Sequence, residues 1–99
     1  CLIATDDAQI ADAAGSAGMD VVMTPVTCAN GTERCAAALD ALDTVPEIVV
    51  NLQGDAPLTP PAMVAAVVAL LETDPALAMA TAAVPATPAV LAHLQTDAA

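Results

Sequence analysis

The sequence predicts an α/β fold, a sheet covered by helices, and three observations carry that expectation. Short apolar or β-branched runs alternate with longer segments whose apolar residues recur at helical spacing. Most of the helical segments open on a recognisable capping signal. One run, Glu47 to Leu52, places Ile48, Val49, Val50 and Leu52 so closely that no face is left for water, as in a strand buried on both sides. In such folds ligands gather outside the carboxyl ends of the strands.

The elements follow in order. Cys1 to Thr5 is an apolar run that ends in Thr-Asp-Asp, and Asp6 stands three residues before Gln9 in capping-box spacing. The helix this opens carries Ile10, Ala13, Ala14 and Ala17 on one face, with Gly18 placed to end it in the left-handed conformation. Asp20 to Thr24 reads as a second strand and Pro25 to Asn30 as a loop. A second capping box, Asn30 to Glu33, opens a helix with Cys35, Ala38, Leu39 and Leu42 on one face. After Val45-Pro46 comes the strand Glu47 to Leu52, then a loop from Gln53 to Pro57. Thr59 as N-cap, Pro60 as first helical residue and a Leu58–Met63 staple define a third helix that runs to about Thr73, where Pro75 stops it. Ala78 to Val84 is expected as a further strand, and Thr87-Pro88 starts a last helix.

Composition narrows the functional classes. Of 99 residues 57 are apolar, but 26 of those are alanine and no Phe, Tyr or Trp is present, so the core is thin and stability in isolation marginal. Twelve carboxylates face one cation, Arg34, for a net charge of -11, which excludes nonspecific binding to nucleic acid or to an anionic membrane. The longest apolar run, Ala62 to Leu71, is too short for a bilayer span of about 20 residues. Three cysteines without a C-x-x-C pair fit a reducing cytoplasm. Cys1 begins inside a strand-like run and Gln95-Thr96-Asp97-Ala98-Ala99 breaks off without punctuation, so the chain reads as an internal fragment, one domain truncated at both ends.

Three polar loops follow the expected strands: Thr5-Asp6-Asp7, Thr27 to Arg34, and Gln53-Gly54-Asp55. Asp55 is a hard oxygen donor suited to Mg²⁺, which takes one or two carboxylates with water and phosphate oxygens; the alternative is a carboxylate that only caps a turn. Gly54 permits an unusual backbone turn beside it. Arg34 stands in the first turn of its helix, where the macrodipole disfavours a cation. A bound phosphate or carboxylate would account for that position, and so would an ion pair with one of the chain's own carboxylates. Glu33 is explained by the capping box, while Asn30 and Thr32 suit either a nucleotide or an ordinary helix start. Asp6 and Asp7 divide in the same way between cap and ligand. Cys28, Cys35 and His93 lack zinc-ligand spacing, and the nucleophile-elbow, P-loop and dinucleotide glycine motifs are absent.

Read together, Ala4-Thr5-Asp6-Asp7, Asn30-Gly31-Thr32-Glu33-Arg34 and Val50-Asn51-Leu52-Gln53-Gly54-Asp55-Ala56-Pro57-Leu58 resemble, in order and spacing, the 3-deoxy-manno-octulosonate (Kdo) cytidylyltransferases. The likeness continues through Met79 to Pro85 and so spans nearly the whole chain. It implies a three-layer α/β/α nucleotidyltransferase of the nucleotide-diphospho-sugar transferase type, present here in part, and a homodimer when complete. The implied reaction joins CTP to Kdo, giving CMP-Kdo and pyrophosphate for lipopolysaccharide synthesis. By the resemblance Asp55 is a magnesium ligand, Gln53 contacts nucleotide or sugar, and Asn30, Gly31, Thr32 and Arg34 lie at the nucleotide site.

Many members carry Ser where Asn30 stands and Glu where Ala56 stands; the second difference removes a carboxylate beside the metal loop. The family's basic N-terminal loop and its later metal aspartate are not in these 99 residues. The chain alone is therefore expected to be inactive and to bind Mg-CTP weakly or not at all, since one arginine cannot balance a triphosphate on a chain of charge -11. Two other functions compete: cytidylyl transfer to a different acid sugar, such as amino-Kdo or a nonulosonic acid, and a noncatalytic α/β remnant.

Overall fold

The computed structural model describes residues 1–97. Six elements run in the order β1 (Leu2–Thr5), α1 (Ala8–Ser16), β2 (Asp20–Met23), α2 (Gly31–Asp40), α3 (Pro61–Thr73) and α4 (Pro88–Asp97). They fall into two compact units, Cys1–Leu58 and Thr59–Ala99.

The first unit is built on a βαβ motif. Strands β1 and β2 pair in parallel, with Leu2 opposite Asp20, Ile3 opposite Val21, Ala4 opposite Val22 and Thr5 opposite Met23. Helix α1 makes the crossover and packs on both strands, while α2 packs on β1. Local chemistry sets the ends of α1. The Asp7 carboxylate accepts from the N–H of Gln9 at 2.7 Å and of Ile10 at 3.2 Å. At the other end Gly18 adopts φ 80°, and the bonds Gly18 N–H to Gly15 O and Met19 N–H to Ala14 O, both 3.0 Å, complete a Schellman motif.

The cap of α1 is thus Asp7 and not the expected Asp6. Its expected apolar face is also largely wet, Ile10 being 52% exposed. The first half of the second capping box forms as its spacing predicts, and the reciprocal half shifts by one residue. Asn30 Oδ1 accepts from Glu33 N–H at 2.9 Å, and Glu33 Oε2 reaches back to the N–H of Ala29 at 2.6 Å, one residue before the cap. Ala38, on the expected inner face of α2, is the one buried hydrophobic residue among those described.

The largest departure concerns Glu47 to Leu52, expected as a central strand. It carries no strand pairing, and Val49, Val50 and Leu52 are 45%, 50% and 59% exposed. A run of this kind becomes a strand only against a neighbouring edge and beneath covering helices. Among the described residues the sheet ends with β1 and β2.

In the second unit α3 starts one residue later than expected: Pro60 is the N-cap and Pro61 the first helical residue. The residue before a proline is driven out of the helical region, so Pro60, at ψ 131°, cannot itself begin the helix. Thr59 accordingly is not the cap, and Leu58, expected in a hydrophobic staple, is 92% exposed. Ala78 to Val84 is likewise irregular rather than a strand, with Met79 81% and Val84 71% exposed. Helix α4 begins as the Thr87-Pro88 pair predicts, Thr87 Oγ1 accepting from Val90 N–H at 3.3 Å. No described helix is long and apolar enough to cross a membrane.

Candidate functional site

Two of the three buried residues described in the first unit lie at the carboxyl ends of its strands. Thr5, the last residue of β1, and Thr24, the residue after β2, are each 6% exposed. They are tied together by the bond from Thr24 N–H to Thr5 O at 2.9 Å. The Thr5 hydroxyl accepts from Asp7 N–H at 3.1 Å and so shapes the turn that holds Asp6.

Arg34 reaches down to this point from the first turn of α2. Its Nη1 donates to Thr24 Oγ1 at 2.7 Å and to Pro25 O at 3.4 Å, and its Nη2 donates to Asp6 Oδ2 at 3.1 Å. The Arg34 and Asp6 side chains retain 23% and 32% of their exposure. Of the two explanations for a cation at a helix start, the ion pair is realised: Asp6 lies within salt-bridge distance and offsets the unfavourable helix dipole. The residue that sequence reasoning missed is Thr24. Its only signal was a hydroxyl at the end of a β-branched run, ordinary for a strand.

A second juxtaposition joins motifs that are distant in sequence. A Cβ built on Gly31 would stand 3.0 Å from Gln53 Nε2 and 3.1 Å from Gln53 Cδ. The Gln53 side chain therefore lies against the first residue of α2, and the absence of a side chain at Gly31 allows that approach. The turn that follows Gln53 is closed by its own backbone, Ala56 N–H donating to Gln53 O at 3.1 Å. Asp55 within it is exposed, and its carboxylate makes no hydrogen bond or ion pair among the described residues. The turn-cap alternative for Asp55 is thereby without a bond to support it. Gly54, expected to permit an unusual turn, has an ordinary negative φ, and a Cβ there would meet open space.

The structure thus brings Asp6, Thr24 and Arg34 together, and separately Gly31 and Gln53. Asn30 serves as the helix cap, while Thr32 and Asp55 are exposed and touch none of the other candidates through a hydrogen bond or ion pair. No group of three or more His, Cys, Asp or Glu residues among those described could enclose a metal ion. Asp55 is a single free carboxylate, which suits Mg²⁺ completed by water and phosphate oxygens and does not suit an all-protein cage. The three cysteines are free.

A parallel βαβ unit whose polar loops collect at the strand ends is the frame on which nucleotide-using α/β enzymes are built. Residues 1–94 match the family model described as cytidylyltransferase, and the chain belongs to that family. Among curated relatives, it is 45% identical over 96 residues to the 3-deoxy-manno-octulosonate cytidylyltransferase of Maricaulis maris, covering 97% of this chain and 37% of the relative. It is 49% identical over 89 residues to that of Halorhodospira halophila, covering 89% and 35%. To the mitochondrial 3-deoxy-manno-octulosonate cytidylyltransferase of Arabidopsis thaliana it is 44% identical over 81 residues, covering 82% and 28%. The chain therefore spans about a third of the length of these relatives. No solved structure matches it significantly.

Proposed function

We propose that this chain is part of a cytidylyltransferase that transfers CMP from CTP to Kdo and releases pyrophosphate. The observation that supports it most is the packing of Gln53 on Gly31, which joins the Asp55 loop to the start of α2. These are two of the segments that carry the likeness to the family. In this reading the sugar's anomeric hydroxyl attacks the α-phosphorus of CTP and pyrophosphate departs in one displacement. No covalent enzyme intermediate is needed, so the protein's task is alignment and charge stabilisation.

Asp55 would hold Mg²⁺, which when bound neutralises charge on the phosphates and activates the reacting oxygens. Gln53, fixed against Gly31, offers an amide donor and acceptor to nucleotide or sugar. The N–H groups of Gly31 and Thr32, at the start of α2, favour an anionic oxygen, as does the guanidinium of Arg34. Asn30 orders this helix start. The complete protein would carry a three-layer α/β/α sheet, in which 47–52 would be a strand. It would act as a cytoplasmic homodimer that supplies CMP-Kdo for lipopolysaccharide.

The test is pyrophosphate release by the complete protein given CTP and Mg²⁺ with Kdo, amino-Kdo or a nonulosonic acid in parallel. Release is expected to be fastest with Kdo. Faster release with another sugar would move the assignment to that substrate, and silence with all three in a folded protein would favour a noncatalytic remnant.

A further inference from the structure

The Arg34 guanidinium has five N–H donors. Both on Nη1 are engaged by Thr24 and Pro25, and one on Nη2 by Asp6, which leaves Nε–H and the second Nη2–H without a partner among the described residues. The group is held from beneath by a buried hydroxyl and from the side by a carboxylate, yet its side chain keeps 23% of its exposure. The clasp thus leaves two donors of a partly exposed guanidinium available to a further acceptor. A guanidinium loses less rotamer entropy on binding when its plane is already fixed.

We infer that Thr24 and Asp6 are positioning residues, which fix the plane of Arg34 so that its remaining N–H donors meet an anionic substrate oxygen, a phosphate of the nucleotide or the carboxylate of the acid sugar. Thr24 and Asp6 do not touch the substrate; they act through Arg34. The inference rests on the proposed function, because that reading supplies the anion. Asp6 lowers the net charge of the cluster as well as orienting it, so its two effects oppose each other and must be separated by experiment.

Steady-state kinetics of the complete enzyme separates them, with KM for CTP and for the sugar measured independently. Thr24→Val and Asp6→Ala are each expected to raise one of these KM values by about tenfold, the change expected from loosening a charged hydrogen bond. Effects on kcat should be smaller. Thr24→Ser, which keeps the hydroxyl, and Asp6→Asn, which keeps the acceptor in the same shape, are expected to restore KM to near wild type. A rise confined to CTP assigns the oxygen to phosphate, and one confined to the sugar assigns it to carboxylate.

A lowered melting temperature with both KM values unmoved would reduce the cluster to a structural clasp and overturn the inference. So would a fall in KM in Asp6→Ala, which would make Asp6 a competitor for Arg34. Should Thr24→Val fail to fold, Asp6→Ala, at a partly exposed position, gives the same decision. A wild-type enzyme silent with every sugar would sink the functional reading and this inference together; an active wild type with unmoved variants would sink the inference alone.

Discussion

Gly31 gives the sharpest separation of stability from function at the level of single residues. Its φ is not left-handed, so alanine is tolerated there and, at the first position of a helix, stabilises by up to about 1 kcal/mol. The new methyl would nevertheless stand 3.0 Å from Gln53 Nε2, and the far end of that flexible side chain must give way. Gly31→Ala is therefore expected to leave the melting temperature unchanged or slightly raised while kcat/KM falls by about threefold to tenfold, the value of one neutral hydrogen bond. Thermal melting beside steady-state kinetics checks both halves. Residue-scale features were legible where they were local. The Asn30 cap on Glu33 N–H and the left-handed Gly18 depend on neighbours within a few positions, and both form as read. Asp6 and Asp7 could not be told apart in the same way. Asp6 is taken by Arg34, 28 residues away, and Asp7 is left to cap the helix, a choice no local spacing contains. Thr24 was invisible for the same reason.

Elements divide by whether their partners lie close in sequence. The β1–α1–β2 motif brings its own crossover and pairing edge, and it was readable from alternation alone. The helices were readable from capping signals, with one-residue errors at α1, capped by Asp7 rather than Asp6, and at α3, where two adjacent prolines shift the start. Segments 47–52 and 78–84 have strand composition but no paired edge among the described residues. Apolar pattern states what a segment would bury, whereas becoming a strand also requires hydrogen-bond partners for its backbone. The amides of Val49 to Leu52 are therefore expected to exchange rapidly in the 99-residue chain. In the complete protein they are expected to gain protection by several orders of magnitude, since central strands exchange near the global stability limit. Hydrogen exchange read by NMR or mass spectrometry decides it, and equal, rapid exchange in both would contradict the proposed sheet.

At the scale of the whole molecule, charge and site meet. A net charge of -11 with one arginine, itself paired to Asp6, leaves these residues poorly suited to hold a triphosphate by electrostatics alone. What they offer instead is geometry: a braced guanidinium at the strand ends, a helix start with its cap in place, a glutamine laid on glycine, and one unencumbered carboxylate in the adjoining loop. The chain belongs to the cytidylyltransferase family, and we propose that Asp55 is free because its partner in the complete protein is a metal–nucleotide complex. That claim is tested most directly by magnesium-dependent pyrophosphate release from CTP and Kdo in the complete protein, wild type against Asp55→Asn. The expected result is a fall in turnover of at least about a hundredfold with the melting temperature little changed, as for loss of a metal-holding carboxylate. Turnover within about twofold of wild type would contradict the account and return Asp55 to an ordinary surface turn.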